Sequence, residues 1–536
     1  MPPALTYPGV YIEEQSSGVH TITGVATSIT AFVGGAAMGP VNQPVTIFSF
    51  ADFERQFGGL TMGDPLGYAV RDFYANGGST AIIVRVGTHG AAAAPAPPPA
   101  PPAPADPPPA AAAASIALPA TGASPDHLEL HASSIGAWGN ALGVEVDHPD
   151  DPTHFNLLIG TFGADGTFTF AEQLFNLSVD PGDPRYVVGT LASESQLVVV
   201  ADPSQVPDQR PDRTPGDATQ PLAAVRADEG SGTDPVLTDA DLIGDQAGKT
   251  GLYALDNADL FNLLVIPPLT PGGDVAAEVL SPALTYCHSR RAVLLVDAGA
   301  GWTRANAVSS LQALGLSGSV AANGAVYFPR LMAPDPLRGG QLADYPPSGA
   351  VAGVIAATDA ARGVWKAPAG VDAAIAGIQG LTVPLTDDEQ GSLNPKAVNC
   401  IRNFPVFGSV VWGARTLRGD DQLADDWKYL PVRRTALFIE ESLYRGTKWV
   451  VFEPNDEPLW ASIRLSIGAF MHDLFRQGAF QGATPRDAYF VKCDHDTTTQ
   501  NDINLGRVNI AVGFAPLKPA EFVVITIEQM AGQVEV

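Results

Sequence analysis

Short apolar runs and amphipathic stretches divide this chain before any motif does. ITAFVGGA (29–36), TAIIVRVG (80–87), FNLLVIPP (261–268), RAVLLVDA (291–298) and AVYFPRLM (325–332) are continuous, partly β-branched runs. Such runs suit strands buried on both faces. Between them lie helical patterns: SFADFERQFG (49–58), DVAAEVLSPALTYCHS (274–289) and TRANAVSSLQALG (303–315). Strands alternating with helices predict an α/β core with parallel strands, divided into 29–88 and 251–380.

The stretch between those halves reads differently. HLELHA, LGVEVD, FNLLIG, TFTFAE and QLVVVAD are short, alternating and bounded by Gly, Pro and Asp. They predict a β-rich insertion over 89–250. It opens with a Pro/Ala tract (91–114), an exposed linker by composition. PSQVPDQRPDRTPGDATQP (203–221) reads as a long loop.

From 381 to 520 the pattern is α+β. The stretch 434–454 places Leu437, Phe438, Glu441, Leu443 and Tyr444 at helical spacing. In 458–479, Trp460, Ile463, Ile467, Phe470, Met471 and Leu474 recur at steps of three and four. AYFVKC (488–493), RVNIAVGFAP (507–516) and EFVVITIEQ (521–529) follow as strands. Phe32, Phe48, Phe404 and Phe438 read as core. The ends, 1–28 and 521–536, are extended arms. An alternating terminal strand with one dry face must pair with something. It is either an edge of its own sheet or a strand added to another subunit.

Charge sharpens this division. The 536 residues carry a net charge of −27. Residues 394–536 hold 15 basic and 17 acidic groups, −2, which leaves −25 for the rest. The acidic balance excludes the basic face of a nucleic-acid binder. The near-neutral C-terminal part either meets other protein or is simply more buried. No run approaches the ~18 apolar residues of a membrane span, and MPPALTYPGV lacks the basic start of a secretory signal.

GDQAGKTG (244–251) invites a phosphate-binding reading, and with it a soluble α/β enzyme. Gly248, Lys249 and Thr250 fit the second half of a Walker loop, but Ile243 stands where its first glycine belongs. The polar TDADLI precedes it where a buried strand should. An ordinary glycine turn is the expectation. Cys493-Asp494-His495-Asp496 resembles a metal cluster, but neighbours along a strand or tight turn point to different faces. No G-x-S-x-G or G-x-G-x-x-G appears in a fitting context. Neither catalysis nor a cofactor is expected.

Several long blocks, in order, resemble the contractile tail sheath family of phage tails and phage-tail-like contractile injection systems. They are TYPGVYIEEQSSGVHTITGVATSITAFVGGAAMGPVNQPVTIFSFADFERQFGG (6–59), KTGLYALDNADLFNLLVIPP (249–268), IGAWGNALGVEV (135–146), FNLSVDPGDPRYV (175–187), NPKAVNCIRNFPVFGSVVWGARTL (394–417), VRRTALFIEESLYRGTKWVVFEPNDEPLW (432–460) and YFVKCDHDTTTQNDINLGRVNIAVGFAPLKPAEFVVITI (489–527). The Pro/Ala tract departs from the family's pattern.

The resemblance implies a polymer of stacked rings, six subunits each, around an inner tube, joined by strand exchange. Its arms would use Tyr7, Val10, Tyr11, Ile12, Phe522, Val523, Val524, Ile525 and Ile527. Hinges would fall at Ser16, Ser17 and Gly18, and at Leu517, Lys518 and Pro519. It further implies a metastable extended state, contraction without nucleotide, and baseplate and terminal cap partners. Assembly would be cytoplasmic, within a virion tail, a released particle or an intracellular device, with no nucleic-acid partner or membrane insertion. Arg433, Arg434, Arg445, Lys448, Arg464 and Arg476 are candidates to meet an acidic tube. Alternatively they are solvated, or pair locally with Glu440, Glu441 and Asp473.

Overall fold

The computed structural model describes residues 20–87, 111–120, 125–215 and 220–525. The core starts with β1 (Thr30–Gly34), β2 (Val45–Ile47), α1 (Phe50–Phe57), α2 (Pro65–Ala75) and β3 (Ala81–Arg85). The insertion contains β4 (Ser115–Pro119), β5 (His127–Ala132), β6 (Leu142–Asp147), β7 (His154–Phe162), β8 (Phe168–Ser178), α3 (Val187–Glu194), β9 (Val198–Val200), β10 (Val225–Arg226) and α4 (Asp239–Ile243). The core resumes with β11 (Leu263–Val265), α5 (Ala277–Ser289), β12 (Val293–Asp297), α6 (Ala307–Ala313), β13 (Gly324–Phe328), β14 (Leu331–Asp335), β15 (Gln341–Tyr345), α7 (Ser348–Arg362), β16 (Gly380–Leu381), α8 (Asp387–Leu393), β17 (Val398–Phe404) and β18 (Gly408–Val411). The C-terminal region is α9 (Leu430–Gly446), α10 (Glu457–Arg476), α11 (Pro485–Ala488), β19 (Tyr489–Lys492), α12 (Gln500–Asn504) and β20 (Ala511–Phe514).

Among the described residues the main sheet has eight strands, in the order β18-β17-β13-β12-β11-β1-β3-β2. It is parallel from β17 to β3, with an antiparallel strand at each edge. Side chains alternate between its faces, as pleating requires. Phe32, Ile83, Leu295 and Tyr327 enter one apolar cluster with α1, α2, α7 and α9. Val33, Ile82, Leu294 and Val326 enter the other with α4 and α5. Covering both faces explains why these strands read as unbroken apolar runs.

The sequence does not announce α2 or α7. The text of α7, SGAVAGVIAATDAAR, is rich in glycine and alanine and lacks a bold apolar stripe. Its small residues serve close packing: a Cβ at Gly349 would strike the Ala69 carbonyl, and one at Gly353 the Phe73 carbonyl, both on α2. Three further expectations change. The run 325–332 is two strands, because β13 ends at Phe328 and β14, starting at Leu331, joins a small sheet with β15 and β16. The core sheet continues through β17 and β18, well past the boundary expected at 381. Phe48 is exposed rather than core.

In the insertion, the sheets β10-β6-β7-β8 and β4-β5-β9 share one apolar core. That is sandwich packing. Arg85, fully buried at the end of β3, fastens this layer to the main sheet. Its guanidinium donates to the carbonyls of Ala36, Ala37, Gly39 and Ile135. Ile135 belongs to the insertion, so one side chain ties the two layers together.

Candidate functional site: the arm roots and the open ribbon

The GDQAGKTG stretch is a turn. It follows the short helix α4 and leads into a 3-10 helix over Gly251–Asn257. Gly244 has φ +68°, and a Cβ there would collide with the Thr250 carbonyl. Thr250 Oγ1 accepts from the Asp245 amide, and Lys249 Nζ donates to Asn257 Oδ1 at 2.9 Å. The glycines let the loop close upon itself, and the lysine is already engaged. His495 packs edge-on against Trp460, Asp494 accepts from nearby amides, and burial pushes the Cys493 thiol up to about 11. Among the described residues no group of three metal-ligating side chains forms.

The N-terminal arm joins the body along α9 and α10. His20 stacks on Trp449 with ring centres 4.0 Å apart, and its amide donates to Ser466 Oγ. Ile22 is buried in the apolar cluster of these helices. The Val25 amide donates to Ser442 Oγ. At the far end sits a buried ion pair. Arg434 on α9 meets Asp359 on α7 through two contacts of 2.6 and 2.9 Å, each side chain about 3% exposed. Thr27 completes it: its carbonyl accepts from Arg434 at 2.9 Å, and its hydroxyl donates to Asp359 at 2.7 Å. The charges offset each other's desolvation because both carboxylate oxygens accept from Arg434 and the Thr27 hydroxyl and carbonyl add two further bonds. The expected arm residues Tyr7, Val10, Tyr11 and Ile12 and hinges Ser16, Ser17 and Gly18 lie outside the described residues, as does Ile527.

The C-terminal root uses a second arginine. Arg415, fully buried after β18, donates from Nε and Nη2 to both Glu521 oxygens, at 2.8 and 2.6 Å. Nη1 reaches the Gly419 carbonyl and Asp421. Burial is the largest influence and works to lower the arginine's pKa, but the bonds and charge of Glu521, with the charges of Asp421 and Tyr429, together turn the net shift upward. Phe522–Ile525 follow, each 73–88% exposed. They pair with no strand among the described residues, in contrast to the strand expected from 521. Leu517, Lys518 and Pro519, expected as a hinge, lie between two fixed points. The Ala515 carbonyl accepts from Gln481, and Glu521 is held by Arg415, so the free chain starts past Glu521.

Upstream of this strap, β19 and β20 form an antiparallel ribbon of two strands among the described residues, with Tyr489 opposite Phe514 and Lys492 opposite Ala511. A two-stranded ribbon is marginal by itself and leaves main-chain groups open on its outer edges. Phe490 on β19 is half exposed.

Burial removes two of the six candidate tube-contact cations. Arg433 and Arg434 are both buried, the first beneath Trp427 and beside Glu440. Arg445 is held by Asp259 and Glu441, each at 2.7 Å, and hydrogen bonds to both raise its pKa. Arg464 pairs with Glu457 at 2.6 Å and donates to the Cys493 carbonyl. Lys448 is exposed beside the Tyr444 ring, and Arg476 is exposed at the end of α10. Local pairing, the alternative reading, thus accounts for Arg433 and Arg445.

Sequence reasoning missed Arg415, Glu521, Asp359 and Thr27. One signal was available: Arg434 shares a helical stripe with Leu430 and Leu437, at steps of four and three. A cation inside an apolar stripe points to a buried partner.

Residues 275–417 match the phage tail sheath protein central domain, and residues 423–530 the phage tail sheath C-terminal domain. The tail sheath protein of Burkholderia phage BcepMu is 26% identical over 499 residues, covering 88% of this chain and 87% of that protein. The fold resembles the sheath complex of the extracellular contractile injection system PVC in its contracted state, at TM-score 0.56, 23% identity and 98% coverage of both chains. It also resembles a sheath tail protein of Listeria innocua, at TM-score 0.57, 12% identity and coverage of 93% and 96%. With two sheath domains matched in succession on this fold, the chain belongs to the contractile tail sheath family and is a structural sheath subunit.

Proposed function

We propose that this subunit polymerises by exchanging its arms. Residues beyond Glu521 and residues near Tyr7–Ile12 add strands to the β19–β20 ribbon of neighbouring copies. The observation that carries this is the apolar, exposed, unpaired run Phe522–Ile525, which starts where Arg415 releases the chain. An added strand satisfies the ribbon's open main-chain groups and seats alternate side chains. Such a contact is heterologous, so it propagates into a helix instead of closing a dimer.

In this reading the copies stack as rings, six subunits each, around an inner tube, with a baseplate at one end and a terminal cap at the other. The relatives' descriptions as tail sheaths and as injection-system sheath and baseplate complexes support that setting. Assembly takes place in the cytoplasm, and contraction moves the bodies from a metastable extended packing to one that buries more surface. The tube is met by Lys448, Arg464 and Arg476, the first and last being exposed without an ion pair among the described residues.

Removing residues 522–536, or residues 1–19, tests the reading. Each truncation is expected to leave a monomer with unchanged circular dichroism and no polymer by electron microscopy. Normal tubes from either truncation would overturn it.

A further inference from the structure

The β-sandwich of the insertion has a second, outward face. Val144, Leu157 and Ile159 point into its core, so their strand neighbours Gly143, Leu158 and Gly160 point away from it. On that face Arg226, Gly143, Gly160 and Phe170 stand opposite one another in a single row across β10, β6, β7 and β8. Phe162 and Phe168 pair in the next row, with ring centres 5.2 Å apart. A Cβ at Gly143 would strike both rings, so the missing side chain lets them settle onto the sheet. Arg226 stacks its guanidinium on Phe162 at 3.9 Å, and Phe170 is 54% exposed. Arg226 is itself exposed and forms no ion pair among the described residues. Aromatic rings gathered on a solvent face mark a binding surface.

We propose that this face seats residues 101–106 of the same copy, PPAPAD, from the Pro/Ala tract. Asp106 pairs with Arg226, and Pro101, Pro102 and Pro104 rest on Phe162, Phe168 and Phe170. The inference is independent of arm exchange. It gives a task to the tract that departs from the sheath pattern, in place of the free linker expected from composition.

Chemistry, charge and length select this occupant. Proline-rich chain is already extended, so ordering it costs little, and clusters of aromatic rings are its usual seat. Residues 95–109 hold ten prolines and a single charged residue, Asp106, opposite in sign to Arg226. The tract also ends close by. Ala112 is bonded to Gly136 and Thr233, and the Asp228 amide donates to the Ser115 carbonyl. Arg226 therefore lies at most about 25 Å from Ala111. Five residues separate Asp106 from Ala111, roughly 16 Å at the polyproline rise, and the two side chains bridge the rest. Five more residues, back to Pro101, span roughly the same length. That matches the three strand spacings, roughly 14 Å, from Arg226 to Phe170. Seated there, the tract covers rings that would otherwise adhere to other surfaces.

The test uses the full chain, with a photo-crosslinking phenylalanine analogue at position 103 or, outside the seat, at position 94. Heavy- and light-isotope copies are mixed before illumination, so mass spectrometry separates links within a copy from links between copies. The position-103 probe is expected to join Phe162, Phe168 or Phe170 of its own copy, and the position-94 probe to leave those rings unlabelled. Links from position 103 to the rings of a different copy would hand the face to a neighbour and overturn the assignment. Links that miss the rings, or equal labelling from position 94, would overturn the seat itself. Arg226→Glu, at an exposed position, should cut the position-103 yield about threefold, the effect of one surface ion pair. Adding Asp106→Arg to that variant should restore it. Phe170→Ser, also exposed, should lower labelling of Phe162 and Phe168 with circular dichroism unchanged. An unchanged yield in Arg226→Glu would contradict the ion pair, and an unchanged yield in Phe170→Ser would contradict the aromatic seat.

Discussion

The main sheet and the C-terminal ribbon solve the same problem in opposite ways. In the eight-stranded sheet, helices cover both faces and the interior strands are paired on both sides. The β18 edge is closed too: Gly370 and Ile375 donate to the Val411 and Ser409 carbonyls, and the Val411 amide donates to Ala373. The ribbon has two strands among the described residues; Tyr489, Val491, Val512 and Phe514 pack on the α10 cluster, and Phe490 is left half exposed. An open edge of that kind is a hazard unless a defined partner fills it. The lesson is a division of labour. On the proposed arm exchange, the core is the body that stands without neighbours, and the ribbon and arms are the parts that assembly completes. The two buried arginines mark the border, each fixing the point where chain passes from body to arm.

Substitutions that break this comparison should sort by region. The largest monomer effect is expected from Phe32→Ala, which empties a fully buried site between β1 and the helices and should cost ~3–5 kcal/mol in urea unfolding. Next comes Asp359→Ala, which strands the buried Arg434 and removes the hydroxyl partner of Thr27. It should cost roughly 3 kcal/mol and raise hydrogen exchange at the Val25 amide.

Smaller still for the monomer is Phe490→Ser on the ribbon, expected within ~0.5 kcal/mol of wild type because the ring is half exposed. Its effect should fall instead on polymer yield, measured by sedimentation. A large monomer loss here would erase the contrast between the regions.

A pH-dependent effect stands beside these and concerns Asp297, at the end of β12. Burial raises its carboxyl to about 6, against the Ser348 amide and hydroxyl and the charge of Arg330. The unfolded chain releases this proton near pH 4, whereas the folded chain holds it to about 6. Stability should therefore decline as pH rises through that window, by roughly 3 kcal/mol at ~1.4 kcal/mol for each pH unit, and then level off. Asp297→Asn should flatten the decline in melting temperature between pH 4 and 6.

Much of the body was legible in the sequence. β1, β3, β11 and β12 were readable as apolar runs because both faces of the sheet are dry. α9 and α10 were readable from their three- and four-residue steps. What stayed hidden depends on contacts distant in sequence. α7 packs through what its glycines lack, and absence of a side chain leaves no apolar stripe. β17 joins the core by pairing with β13, some 70 residues earlier, and β18 follows by pairing with β17, so no local signal set that boundary. Phe48 is apolar yet points outward. The arm roots were least visible, since Arg434–Asp359 spans 75 residues and Arg415–Glu521 spans 106. An isolated arginine in text says nothing of a carboxylate that far away.

The central claim is settled most directly by tracing residues 515–536 in a high-resolution density map of the assembled polymer. The account predicts that the chain leaves its body at Glu521 and runs as a strand beside the β19–β20 ribbon of a different copy. Density that instead carries Phe522–Ile525 back onto the ribbon of the same copy would contradict it.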